Sequence, residues 1–307
     1  IRWGALRALG NLLRLRVVTM EEEPRVLEFT GEELHRVSHA YGTNGIITEI
    51  EIPLAPAYDW VGMFLTFPDF PTAARYGYEL GAQDGILLKL ISVFEPPIAH
   101  DYFLRVKPYV EPGHAVVALM VAPHAMPAFR TFTARWPGAE VIYRSDEKPW
   151  PKDPGHVFEY GWNHTTLRAL KIDPAITYLQ VGYGTERPLE LIEEIRAELS
   201  PEVLQHLEIT RQGGKVGIGS LSLVKFTTEE RLDEIVRIHE EMGAPNFNPH
   251  RYTLEEGGRQ SVDATQLAFK READPKGLLN PGKMIAWDDP DWDFGRMYAH
   301  PRLQVAE

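Results

Sequence analysis

The chain has 307 residues, with 32 Lys and Arg against 44 Asp and Glu, a net charge of −12. That balance argues against nucleic acid or an anionic membrane surface as the main partner. The absence of cysteine removes disulfides, thiolate-held iron–sulfur clusters, Cys-type zinc sites and a Cys nucleophile. At 44% hydrophobic and 25% charged residues, the composition is that of a globular protein long enough for two domains, and a cytoplasmic setting is expected.

No apolar run reaches the length of a membrane span. The opening residues 1–20 mix Arg with Leu, but they have no uninterrupted apolar region or small-residue cleavage site, so they are not read as a targeting peptide. Arg14 and Arg16 alternate with Leu13, Leu15 and Val17, as in a half-buried strand. Residues 25–30 read as its hairpin partner, and 31–40 as a short helix carrying Leu34 and Val37. Residues 46–54 read as a strand with Ile46, Thr48, Ile50 and Ile52 on one face, running into Pro53 and Pro56 as a linker.

From Trp60 the pattern changes. Strands are expected at 61–67, 85–94, 114–121 and 139–144, with helices at 71–80 and 125–136. This β-α-β-β-α-β order is the ferredoxin-like arrangement. It begins again with a strand at 176–183, a helix at 189–199 and a hairpin of 203–211 with 215–225 around Gly213-Gly214. A helix at 227–242 follows, with Thr227 and Glu230 as a capping box and Gly243 as its stop. The halves share no sequence similarity, so any repeat is architectural. The segment 149–170 between them is rich in aromatics and His. Beyond residue 244 the chain is loop-rich, with one helix expected at about 261–272.

Two strings carry more than local structure. Tyr41-Gly42-Thr43-Asn44-Gly45-Ile46-Ile47-Thr48-Glu49 places two glycines three apart before a β-branched strand, where the backbone can approach a ligand closely. It is not a GxGxxG fingerprint, and no helix follows it. Asp274-Pro275-Lys276-Gly277-Leu278-Leu279-Asn280-Pro281-Gly282-Lys283-Met284 is a helix stop followed by a structured loop. Its Asn280 offers both donors and an acceptor.

The second string resembles the C-terminal signature of FAD-linked oxidases, the flavoenzyme family that includes D-lactate and glycolate dehydrogenases. The first resembles the last cofactor-contacting loop of that family's FAD domain. The resemblance covers essentially the whole chain, strongly at these loops and weakly elsewhere. It implies an α+β fold: a remnant of a PCMH-type FAD-binding domain over 1–56, a ferredoxin-like cap with an antiparallel sheet over 57–245, and a returning segment, 246–307. It implies FAD as cofactor, contacted by Gly42, Thr43, Gly45, Ile46, Ile47 and Asn280. The family's glycine-rich pyrophosphate-binding region has no counterpart here, so the sequence looks like the C-terminal two-thirds of a flavoprotein.

Departures from the family pattern bear on the substrate. Many 2-hydroxy-acid dehydrogenases of this family carry a His-Val-Gly-Asp-Gly-Asn-Leu-His string whose two histidines bind a divalent metal. The matching stretch here, 214–223, has Lys215 and Ser222 at those positions, Ile218 for the Asp and Ser220 for the Asn. An ammonium repels a cation and serine is a poor ligand, so no metal is expected there. Lys215 is a candidate for binding an anionic substrate directly; a solvated turn lysine is the plainer reading. The family's Gly-Glu-His-Gly string has its nearest match in 254–258. Glu255 keeps the acidic substrate position, and Glu256 stands where the catalytic His would be. A carboxylate serves as a base if burial raises its pKa. His164, set among aromatics and hydroxyls, is the second candidate base, or else a core or capping histidine.

The resulting expectation is an FAD-dependent oxidoreductase that oxidises a small organic, hydroxy-acid-like substrate by hydride transfer to flavin, and is reoxidised by an unidentified electron acceptor. A degenerate flavoprotein subunit, acting through FAD or partner binding without turnover, is the alternative. GxSxG and Walker A motifs are absent.

Overall fold

A computed structural model describes residues 9–147, 150–212, 214–247, 251–256 and 262–294. The expectations at Gly213, Gly257, Gly258 and Ser261 lie outside the described residues. The chain divides into two compact units, Ala57–Asn246 and a discontinuous one made of Arg2–Pro56 with Phe247–Glu307.

The discontinuous unit begins with a three-stranded antiparallel sheet. Strand β1 (Arg14–Val18) lies between β2 (Val26–Thr30) and β3 (Ile46–Glu51). Alternation turns Leu15 and Val17 inward, at 1% and 0% exposure. On the other face Arg14 and Arg16 pair with Glu28 and Glu49, and Arg14 also with Glu51. Such exposed pairs contribute little to stability each. The expected face of β3 is corrected by a bulge. The register steps from Glu49 opposite Arg16 to Ile47 opposite Val17, which leaves Thr48 as the extra residue. Ile47 and Ile50, not Ile46 and Thr48, therefore share the face of Val17 and Leu15.

The unit Ala57–Asn246 is built on one antiparallel sheet. Its first half comprises β4 (Val61–Phe67), α1 (Phe70–Gly81), β5 (Leu88–Phe94), the short α2 (Ile98–Tyr102), β6 (Ala115–Val121), α3 (Met126–Thr133) and β7 (Glu140–Arg144). These strands lie in the order β5-β6-β4-β7. After α4 (Asn163–Leu170) the second half comprises β8 (Ile176–Gly182), α5 (Pro188–Leu199), the two-residue β9 (Val203–Leu204), β10 (His206–Gln212), β11 (Lys215–Lys225), α6 (Glu229–Glu241) and β12 (Asn246–Phe247). Its main strands lie in the order β12-β8-β11-β10. Numbered within its own half, each set has the spatial order 4-1-3-2, so the unit is two ferredoxin-like halves in tandem. They join edge to edge where β5 pairs with β10.

Helices from both halves pack on one face, through Phe70, Tyr76, Phe129, Ile192, Ile195 and Ile235 among others. The second face is covered by Phe103, Val157, Tyr160 and Ala169. With both faces covered, β4 and β6 are buried at every residue, which explains their unbroken apolar runs. The helix expected at 227–242 forms, but its cap is corrected by one residue. Thr228, not Thr227, accepts from the Arg231 N–H at 3.2 Å, and the next residue after the C-terminal cap, Gly243, takes φ of 92°.

The chain then returns to the discontinuous unit. There α7 (Ala264–Ala273) is capped by Asp263, and the short α8 (Ile285–Asp288) follows the Asn280 loop. Phe269 and Ala273 of α7 close the core around Leu15, Val17, Phe29 and Leu34.

Candidate functional site

Within the discontinuous unit the two recognised strings meet. The Asn280 carboxamide donates to the Tyr41 carbonyl at 2.6 Å across 239 residues of sequence. Tyr41, Gly42 and Gly45 take φ of 50°, 70° and 84°, and Asn280 itself 43°. A Cβ on Gly42 would lie 2.8 Å from Asn280 Nδ2, so the glycine is what lets the carboxamide reach the backbone. Ile46 and Ile47 follow at 46% and 43% exposure, at the start of β3.

Thr43 and Asn44 are buried and hold the loop from beneath. Thr43 Oγ1 lies 2.6 Å from the Ala40 carbonyl and 2.8 Å from Asn44 Oδ1. Asn44 Nδ2 donates to the carbonyls of Arg36 and Gln266, at 2.7 and 2.8 Å. Gln266 returns a bond from Nε2 to the Ser38 carbonyl at 2.9 Å. Sequence reading passed over Asn44 and Gln266. The Asn inside a glycine turn was a signal for the first; nothing marked the second.

The Asn280 loop is held by a buried ion pair on α7. Lys270 Nζ contacts Asp274 Oδ2 and donates to the Leu279 carbonyl at 3.1 Å. Asp274 also accepts from the N–H groups of Leu278 and Leu279, at 2.9 and 2.8 Å. Burial opposes ionisation of Asp274, but Lys270 and these two amides outweigh it and hold its pKa below the usual carboxylate range.

A third segment joins this group. The Leu254 N–H bonds the Lys283 carbonyl at 2.9 Å, and the Lys283 ammonium sits 3.5 Å from the centre of the Tyr252 ring. Glu255 is fully buried: Oε1 accepts from the Ala286 N–H at 2.9 Å, while Oε2 has no hydrogen-bond partner. Its neighbour Glu256 is exposed and accepts from Thr253 Oγ1 at 2.9 Å. Glu255, Asn280 and the 41–45 loop thus belong to one unit.

His164 and Lys215 belong to the other unit. His164 is exposed in the first turn of α4, and its N–H bonds the Gly161 carbonyl at 3.2 Å. Lys215 pairs with Glu186 at 2.9 Å with both side chains well exposed, 65% and 82%. It borders an open depression of about 370 Å³ whose lining includes Tyr78, Asp84, Thr185, Glu186 and Arg211. Ser222 lies farther along the same strand, fully buried, 2.8 Å from Ser220 Oγ and 3.3 Å from Gln205 Oε1. Among the described residues no group of three or more His, Asp or Glu side chains is arranged to hold a metal. Nor, among them, is any helix long and apolar enough to cross a membrane.

Comparison with known proteins bears on the fold. No family model and no curated protein matches the chain. Among solved structures, alkyldihydroxyacetonephosphate synthase in two crystal forms superposes with TM-scores of 0.58 and 0.56 at 14% and 13% identity. Each alignment covers 88% of this chain and 53% of that one, so the chain spans about half the length of these structures. 6-Hydroxy-D-nicotine oxidase from Arthrobacter nicotinovorans is similar at 16% identity and a TM-score of 0.48, over 87% of this chain and 64% of that one. The likeness to the synthase is one of fold. The α+β class expected from the sequence, with an antiparallel, ferredoxin-like sheet, is the one observed.

Proposed function

We propose that this chain is part of an FAD-dependent oxidoreductase acting on a small organic substrate. The observation that carries the reading is the bond from Asn280 to the Tyr41 carbonyl, which unites the two strings that resemble the cofactor loops of FAD-linked oxidases. The residues present suit the ring end of a flavin. Asn280 is exposed and carries donor and acceptor groups that match the amide-like edge of the ring. A bound flavin would supply the two-electron redox chemistry, and an external electron acceptor would restore it.

The chain's own residues then divide the remaining work. The buried, unpartnered Oε2 of Glu255 suits a hydroxyl or N–H donor, since an orphaned buried acceptor is costly. His164 is the better candidate base, because Glu256 is engaged by Thr253. Lys215 offers an ammonium to an anionic substrate group, at the cost of one weak surface ion pair.

The test is flavin binding followed by reduction. The protein should quench FAD fluorescence, and Asn280→Leu should weaken that binding by roughly tenfold, the value of one lost hydrogen bond to a ligand. Small 2-hydroxy acids, added without oxygen, should bleach the flavin absorption. His164→Gln should slow bleaching roughly 100-fold while FAD stays bound. FAD that is bound neither by this chain nor by a longer protein containing it would make the reading wrong. FAD that binds and is never reduced supports the non-catalytic subunit instead.

A further inference from the structure

In the unit Ala57–Asn246 a buried cluster has no part in the function proposed above. Glu208 of β10 is 2% exposed. Its Oε2 accepts from Ser92 Oγ at 2.7 Å, and its Oε1 lies 2.8 Å from His206 Nε2 and accepts from the Trp162 N–H at 2.7 Å. Ser92 opposite Glu208, and Phe94 opposite His206, are two of the three cross-strand pairs that join the two ferredoxin-like halves. His206 stacks on Phe94 at 4.8 Å, and its Nδ1 is buried without a partner. The carboxylate therefore sits at the seam of the sheet and grips the backbone of the turn above it.

That turn is strained. Trp162 takes φ 52° and ψ −143°, a region that only glycine enters freely. The preceding Gly161 has no room for a side chain. A Cβ there would lie 2.7 Å from Ser92 Oγ and 3.1 Å from Glu208 Oε1. Burial does not explain the strain, because Trp162 is 41% exposed. A core tryptophan is held by its ring; this one is held by its N–H, with its ring left partly in water. Asn163 and His164, also exposed, follow directly in the first turn of α4. Strain of this kind persists only where the surroundings enforce it, and it gathers at ligand sites.

We propose that Glu208 is a positioning residue that fixes the Trp162–His164 turn as a ligand-binding ledge, with the Trp162 indole as stacking surface for a flat, conjugated organic group. The polar substituents of that group would face Asn163 and His164. The chemistry follows from the side chains: an exposed indole offers a large rigid face at little conformational cost, and the adjoining amide and imidazole supply directional contacts. The proposal uses the oxidoreductase reading only to make the ligand a substrate. Its test needs no flavin, so the two readings fail separately.

The chain contains seven tryptophans, whose indole N–H signals can be followed by NMR after ¹⁵N-tryptophan labelling, with Trp162→Phe identifying the one of interest. Titration with 4-hydroxybenzoate should move the Trp162 signal saturably, and cyclohexanecarboxylate, an anion of similar size that is not flat, should not. Trp162→Gly should weaken binding of this probe roughly tenfold, the upper range for an aromatic contact, with a melting temperature no lower than the parent's because the strain is relieved. Glu208→Leu should shift the Trp162 signal and weaken the probe. Glu208→Gln, which keeps an acceptor for the Trp162 N–H, should restore most of both. An unmoved Trp162 signal, an equal response to cyclohexanecarboxylate, or a Trp162→Gly variant that melts lower as a core truncation does would each overturn the proposal. If Glu208→Leu does not fold, the Trp162→Gly pair of measurements decides alone.

Discussion

A methyl group at Gly45 would lie 2.5 Å from Val17 Cγ1 and 3.2 Å from the Val18 carbonyl, at a φ of 84°. Val17 is fully buried and Val18 contributes backbone, so neither can easily move aside. The left-handed conformation costs about 1–2 kcal/mol for an L side chain. Overpacking adds about 1–3 kcal/mol. Gly45→Ala should therefore lose about 2–5 kcal/mol, seen as a lower urea midpoint with an unchanged slope. Gly85, with nothing within 4 Å of the same hypothetical atom, is the control, and Gly85→Ala should stay within about 0.5 kcal/mol. Equal losses at both positions would remove the steric argument. Residue-scale detail was the least legible part of the sequence. Glu255 and Glu256 are chemically identical neighbours in a turn, and no periodicity tells which is buried. Glu208 was hidden by its own pattern: the alternation in His206–Gln212 reads as a polar outer face, whereas Val157 and Tyr160 cover that face.

Between residue and fold, the decisive element is α7 with the loop that follows it. Lys270 and Asp274 are 3% and 0% exposed, one turn apart, and between them they satisfy backbone groups at Leu278 and Leu279. Removing one charge leaves the other buried and unpaired, so Asp274→Asn should cost about 3–5 kcal/mol. The pH dependence follows from the direction of the shift. The folded pKa of Asp274 lies below its unfolded value of about 3.9, so its contribution is complete above about pH 4 and is lost as pH falls through the folded value. Urea midpoints measured from neutral pH downward should fall less steeply below pH 4 in Asp274→Asn than in the parent. Parallel acid limbs would show that the pair does not stabilise the fold. Elements of this kind were partly legible. Asp-Pro after an apolar helix marked the stop, and the glycines marked the loop. The β3 bulge and the one-residue shift of the α6 cap were not, because Thr227 and Thr228 are equivalent until the strand before them fixes which takes extended backbone.

At the scale of the molecule, the two units differ in how they depend on the chain. Ala57–Asn246 is contiguous and has apolar clusters on both faces of its sheet. Its tandem order was legible because strands and helices alternate with clear punctuation. The seam between β5 and β10 was not, because strand pairing across halves leaves no local signature. A unit of this size buries about 70% of the surface its unfolded chain exposes, enough for independent stability. The discontinuous unit is different. Leu15 and Val17 are closed over by Phe269 and Ala273, the Phe29 ring meets Phe269 at 5.1 Å, and the Met20 N–H bonds the Ala273 carbonyl. Its first sheet cannot complete a core before the far end of the chain returns. Residues 57–246 expressed alone should therefore give a dispersed amide spectrum and one urea transition, coincident by circular dichroism and tryptophan fluorescence. Residues 1–56 alone should give neither, since a small sheet without its covering helix is at best marginal. A collapsed 57–246 fragment with no cooperative transition would mean that the large sheet takes its stability from the chain ends, and the two-unit description would have to be given up.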